Sequence, residues 1–306
     1  IVNYKHKIFQ NKHIWRQKRK GPSAIVQNGE EVEVKEYLTT RFAEEACRFI
    51  MQNEKNPFFL YVPFNAPHTP FQAPKSQYNK FAHVKDKNKR VYYAMIAALD
   101  DAIGKIMDQV KKSGIEENTL IFFTSDNSGA TYTKATSNED LNGGKITNFE
   151  GGLNVPFIMK WEGTLAHGHQ YNDPVSLMDI FTTAFSSCNV PPPQNIPIDG
   201  VDLIPYLSGE NTHPPHEYLF WRTDINKTVR YGKWKLIVNT SDNLLMLFDL
   251  GTDRREKYNL KDKHPEIVEQ LLSRLAEWEG ELEPPSWPGI MEYEEEINGV
   301  KMRFAL

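Results

Sequence analysis

Over residues 37–51 the apolar positions Phe42, Ala46, Phe49 and Ile50 recur at helical spacing, with Thr39 and Thr40 as candidate caps, which predicts a helix. Pro57 then leads into Phe58-Phe59-Leu60-Tyr61-Val62, an unbroken apolar run that suits a strand buried on both faces. After a Pro-rich loop over 63–74, helical spacing returns from about 87 to 113. Val91, Met95, Ala98, Ile103, Ile106 and Val110 form its inward stripe, and Gly114 stands where a C-cap glycine belongs. Further buried strands are predicted at 119–124 and 156–161, and a further helix at 176–185 with Leu177, Ile180 and Phe181 as its apolar positions.

Helix, buried strand, helix, buried strand is the pattern of an α/β fold whose parallel sheet is covered on both faces, with chemistry beyond the carboxyl ends of the strands. After about Asn211 the texture changes. Short candidate strands at 218–221, 228–230, 233–238 and 245–248 alternate with polar turns, which predicts an antiparallel sheet. A closing helix over 265–282 carries one stripe of Ile267, Leu271, Leu272, Leu275 and Trp278. The pattern divides the chain into a large α/β part, 1–210, and a smaller α+β domain, 211–306.

At 306 residues the chain has ample core for this plan, and 40% apolar with 25% charged residues is an ordinary globular composition. The balance of 36 basic against 40 acidic residues supplies no field that would steer the molecule to nucleic acid. Cys47 and Cys188 are too few and too far apart for a disulfide framework or a cysteine zinc site. No run approaches the roughly 18 apolar residues of a membrane span, and no signal-peptide pattern is present. Asn226-Lys227-Thr228 and Asn239-Thr240-Ser241 have the form of glycosylation acceptors. Residues 1–20 hold seven basic side chains and no acidic one, which fits either a polyanion-binding tail or a surface loop inside a larger protein.

Three windows carry candidate chemistry. In Phe123-Thr124-Ser125-Asp126-Asn127-Ser128-Gly129 an apolar strand runs into a carboxylate and an amide, two hard oxygen donors of the kind Ca²⁺ or Mg²⁺ takes, although the same residues also make turns. Asn142-Gly143-Gly144-Lys145 sets a lysine after glycines that let a ligand approach closely, a point charge for an anionic ester or simply a surface loop. Pro67-His68-Thr69-Pro70 fixes an imidazole after the first apolar run, where it can donate a proton to a leaving oxygen or merely be solvated.

Taken together, Pro67-His68-Thr69-Pro70, Ala98-Leu99-Asp100-Asp101-Ala102-Ile103-Gly104, Thr124-Ser125-Asp126-Asn127-Ser128-Gly129, Gly144-Lys145 and Phe149-Glu150-Gly151-Gly152 with Val155-Pro156 resemble the type I sulfatases of the alkaline-phosphatase-like superfamily. Asp199-Gly200-Val201-Asp202-Leu203-Ile204-Pro205, Gly232-Lys233-Trp234-Lys235-Leu236-Ile237 and Leu247-Phe248-Asp249-Leu250 extend the resemblance over most of residues 30–280. It implies a mixed α/β sheet between helices, a secreted, lysosomal or periplasmic setting, and hydrolysis of a sulfated small molecule or glycan. Asp126 and Asn127 would ligate Ca²⁺, Lys145 would contact the sulfate, and His68 would contact it or protonate the leaving oxygen.

The family's nucleophile, a formylglycine made from Cys-x-Pro-x-Arg or its serine counterpart, has no match here. Arg48-Phe49-Ile50 follows Cys47, and Asn189-Val190-Pro191 follows Cys188. The family's paired aspartates and its Gly-Lys-Trp-His element are also unmatched, so the chain reads as a C-terminal portion that needs an N-terminal segment of the same protein for activity. Alternatives are a phosphate or phosphonate ester hydrolase of the same superfamily, and a non-catalytic module holding a sulfated glycan.

Overall fold

The computed structural model describes residues 24–287, 289 and 292–305; the basic stretch at 1–20 lies outside them. The described residues form two units.

One unit gathers the residues up to 119, with Thr133–Thr136. A hairpin, β1 (Ile25–Gln27) and β2 (Glu30–Val32), turns on Asn28-Gly29, both at positive φ. Helix α1 (Leu38–Asn53) packs along α3 (Lys87–Lys112), burying Ala43, Ala46 and Ile50 of the first and Ala98, Ala102 and Val110 of the second. Asp86 caps α3 by accepting from the amides of Asn88 (2.8 Å) and Lys89 (3.0 Å), and Gly114 ends it at φ +67°. α1 begins one turn differently from its prediction. Tyr37 is its cap, and Thr39 lies inside the first turn, fully buried. The short α2 (Lys75–Lys80) leans on α3 beside a core of Phe71, Val91, Ala94 and Met95.

The predicted strand at 58–62 is not formed. Its residues alternate outward, leaving Phe59 and Tyr61 each 76% exposed, because no strand among the described residues pairs with it. An apolar run predicts that a segment can be buried, and a ladder partner decides whether it is.

The other unit gathers Leu120–Tyr132 and the residues from 137 onward. β3 (Ile121–Thr124) and β4 (Phe157–Lys160) pair antiparallel, Phe123 opposite Ile158, which a mixed sheet accommodates. They are half-buried rather than buried, with Phe123 39% and Ile158 56% exposed. α4 (Glu150–Leu153) lies between them in sequence, and α5 (Asp179–Ser187) follows β4. α5 inverts its expected pattern: Asp179 and Thr183 are buried while Leu177 and Phe181 near its start are exposed. The inversion has a local cause. Asp179 accepts from the amides of Ser176 (2.7 Å) and Val201 (2.9 Å) and contacts His216 Nε2 at 2.9 Å, so its polar face is the one with partners.

After the single turn α6 (Ile204–Leu207), the four strands β5 (Tyr218–Thr223), β6 (Asn226–Tyr231), β7 (Trp234–Asn239) and β8 (Leu244–Asp249) form the predicted antiparallel sheet in sequence order. α7 (Pro265–Gly280) covers one face, packing Val268, Leu271 and Leu275 on Val229, Leu236 and Leu247. The other face, with Ile237, Met246 and Phe248, meets Phe149 and a terminal hairpin of β9 (Glu292–Ile297) and β10 (Val300–Ala305). That hairpin turns on Asn298-Gly299, again at positive φ, a signal the sequence carries in plain view. Period-two alternation along β7 then dictates that Lys235 shares the face of Ile237 and Asn239, toward Phe149, and not the face of Leu236.

Both glycosylation-like triplets are structural. Asn226 and Asn239 are buried on adjacent strands; the Asn239 amide donates to Asn226 Oδ1 (2.9 Å), and both amides donate to the Arg303 carbonyl. Both cysteines are free thiols.

Candidate active site

The carboxyl end of β3 delivers Asp126 and Asn127 into a tight turn. Ser125 Oγ donates to the Asn127 carbonyl at 2.8 Å, and the Asn127 amide donates to the Ser128 carbonyl at 3.0 Å, which leaves the amide oxygen as the end available to a cation. Asp126 beside it is exposed. Two oxygen donors of the right type therefore stand together, but Ca²⁺ takes about six to eight. No cluster of three or more His, Cys, Asp or Glu able to hold a metal occurs among the described residues. The donor chemistry fits the ion; the donor number requires ligands from elsewhere.

Lys145 comes from a separate loop that the hydrogen-bond pattern fuses to this turn. Its amide donates to the Gly129 carbonyl at 3.1 Å, and the Ser128 amide donates to the Gly152 carbonyl at 3.2 Å. Asn138 closes the gap by accepting from the Gly129 amide and donating to the Gly129 and Gly143 carbonyls. The glycine before the lysine is obligatory. A Cβ on Gly144 would meet the Gly129 carbonyl oxygen and Thr131 Oγ1 at 2.6 Å each. Ile146, directly after the lysine, sits at φ +86°, a conformation a β-branched residue adopts only when its surroundings impose it.

Ile146 packs against the apolar cluster of Phe149, Ile237 and Phe248, and a buried charged cluster lies at the end of the same segment. Lys235, wholly inaccessible on β7, contacts Glu150 Oε1 and Glu256 Oε1 at 2.8 Å each, and the Glu150 amide donates to the other Glu256 oxygen at 2.7 Å. Burial pushes the Glu256 carboxyl up to about 7, against the pull of the Lys235 ammonium and with the Glu150 carboxylate adding to the rise. Burial acts the same way on Glu150, but Lys235 and Arg230 outweigh it and hold that carboxyl below its ordinary range. Lys235 lies in a strand the sequence predicts, and Glu256 has no signal in the sequence. Nothing local marks either residue, because the Glu150 that joins them is 85 positions from Lys235 and 106 from Glu256.

His68 belongs to the other unit. It is exposed, its amide donates to the Asn65 carbonyl at 2.9 Å, and its Nδ1 lies 2.7 Å from the Thr69 carbonyl. A carbonyl only accepts, so Nδ1 carries a proton, and Nε2 is the ring atom left for another partner. In the neutral ring Nε2 accepts; as imidazolium it can donate.

The family model described as Sulfatase matches residues 3–190. An uncharacterized sulfatase of Escherichia coli K12, YdeN, is 28% identical over 303 residues, covering 86% of this chain and 54% of its own length. Mouse N-acetylgalactosamine-6-sulfatase is 33% identical over 264 residues, covering 82% of this chain and 49% of itself. The crystal structure of Ps i-CgsB in complex with k-i-k-neocarrahexaose superposes with a TM-score of 0.79 at 30% identity, over 85% of this chain and 59% of that one. The chain thus spans about half the length of the curated relatives it matches. A mixed α/β fold, a lysine loop joined to an Asp-Asn turn and a family match over more than half the chain lead to one assignment: the chain belongs to the sulfatase family.

Proposed function

We propose that this chain is the C-terminal portion of a sulfuric ester hydrolase acting on a sulfated glycan or small molecule. The observation that carries the reading is the junction of the Lys145 loop and the Asp126-Asn127 turn on the Gly129 carbonyl, within a member of the sulfatase family. Residues 1–210 are read as part of the catalytic α/β domain and 211–306 as the smaller domain. The neocarrahexaose held by one structural relative supports a glycan over a small aryl ester.

In this reading Asp126 and Asn127 give two oxygens to a Ca²⁺ ion, which when bound would supply positive charge to the sulfate oxygens. Lys145 neutralises charge on the sulfate as the ester bond breaks, and Nε2 of His68 contacts the sulfate or returns a proton to the leaving oxygen. The nucleophile and the remaining metal ligands come from an N-terminal segment of the same protein. The exposed apolar residues Phe123 and Ile158 on one unit, and Phe59 and Tyr61 on the other, support a further partner of this kind. No helix among the described residues is long and apolar enough to cross a membrane.

The test compares the full-length gene product with this chain on an aryl sulfate and the corresponding aryl phosphate. Turnover of the sulfate by the full-length protein, cut about 100-fold or more in kcat/KM by Lys145→Ala and absent from the chain alone, is expected. Sulfate-ester turnover by this chain alone would contradict the placement of the nucleophile, and preference for the phosphate would overturn the reaction class.

A further inference from the structure

The buried trio of Lys235, Glu150 and Glu256 has no part in the reaction above, yet it is placed where a foundation would be. Its Glu256 side chain holds the Glu150 amide, at the start of the helix that ends the lysine loop. The Glu256 main-chain carbonyl holds Asn142, whose own carbonyl accepts from the Gly151 amide at 2.7 Å. Asn142 also donates to the Arg255 carbonyl and to Asn298 Oδ1. Both ends of the segment 142–152 are therefore tied to residues 255 and 256, and the segment in turn holds Ser128 and Gly129, the two residues after Asp126-Asn127.

A buried charge cluster is a poor way to gain stability, since apolar residues of the same volume do as well or better. What such a cluster supplies is direction: an ammonium between two buried carboxyl groups, one of them ionised, has one satisfactory place, and the backbone that carries them must conform. Ile146 at φ +86° shows that the backbone here does conform against local preference. We infer that Lys235, clamped by Glu150 and Glu256, is the positioning group of the half-site, fixing the loop so that the Lys145 main chain stays bonded to the Gly129 carbonyl beside the Asp126-Asn127 turn. The role assigned to Lys145 rests on the sulfatase reading; the mechanical coupling does not.

The groups facing Glu256 are Lys235 from β7 and Glu150 from α4, with Arg230 of β6 3.8 Å from Glu150. Opening the segment exposes Glu256 to water and returns it toward its ordinary value, releasing a proton, so rising pH favours opening between about 4.5 and 7.

Amide hydrogen exchange on this chain, resolved by residue, tests the coupling without any need for activity. In the wild type the protection factors of the Ser128, Lys145 and Gly151 amides fall by roughly tenfold or more between pH 5 and 7, while Leu236 and Leu247 in the central sheet do not change. In Glu256→Gln the dependence is flat. In Lys235→Met the three amides lose roughly tenfold protection at every pH with the sheet intact. Unchanged protection and a flat wild-type profile would overturn the inference; should Lys235→Met not fold, the Glu256→Gln profile decides it. A full-length protein without sulfatase activity would sink the proposed function and leave this result standing. In a full-length protein that is active, Lys235→Met is expected to lower kcat with little change in KM.

Discussion

The main-chain amide of Lys145 donates to the carbonyl of Gly129 at 3.1 Å, so the lysine loop and the Asp126-Asn127 turn form one structure and do not merely approach each other. Any change that separates these two backbones should reach both halves of the candidate site at once.

Gly144 is the sharpest place to try it. In Gly144→Ala the new methyl meets the backbone oxygen of Gly129, which cannot swing aside like a flexible side chain. The variant should lose about 1–3 kcal/mol in urea unfolding. Gly104→Ala is the opposite case: α3 surrounds that position with open space, and a gain of about 0.5–1 kcal/mol is expected. Equal and small effects at the two sites would refute the packing described here.

Calcium should bind this chain only weakly, because two oxygens are a fraction of what the ion takes. Calorimetric titration is expected to give a Kd of about 10⁻³ M or weaker, removed altogether by Asp126→Ala with Asn127→Ala. Micromolar affinity in the chain by itself would mean that ligands have gone unrecognised.

Stability should depend on pH in two opposing windows. Glu256 is raised from 4.5 to about 7, so its favourable contribution is complete below 4.5 and is lost as pH climbs through 7, by up to about 3 kcal/mol. Glu150 is lowered, so its contribution is present above 4.5 and disappears as pH falls through its folded value. Denaturant melts across pH 3–8 should show both slopes, and Glu256→Gln should abolish the upper one alone.

Asn226 and Asn239 should remain bare even in a host that glycosylates, as intact mass before and after glycosidase treatment would reveal. Both side chains are buried in the sheet and spend their amides on the Arg303 carbonyl. Asn239→Ala should cost about 1–3 kcal/mol by leaving buried polar atoms unpaired.

Wherever neighbours in sequence decide the outcome, the chain was readable. The helical stripes of α1, α3 and α7, the glycine that ends α3 and the four short strands of the antiparallel sheet all follow from local spacing, and so does the Asp-Asn turn at the end of β3. The run at 58–62 was misread because whether an apolar segment becomes a strand depends on a partner elsewhere. α5 was misread because one buried aspartate, bonded to Ser176, Val201 and His216, outweighs three apolar side chains in setting which face turns inward. The Lys235 cluster was invisible for a related reason, since its charges are explained only by residues from three distant segments. The two Asn-Gly hairpins were legible and overlooked.

Asn142 also reaches the turn of the last hairpin through Asn298, and Phe304, Met302 and Ile297 pack beneath Phe149. Removing that hairpin would take away no candidate ligand, yet it would strip the floor from under the lysine loop. A change in this hairpin is thus an intervention at the candidate site, and a variant there should be judged as one.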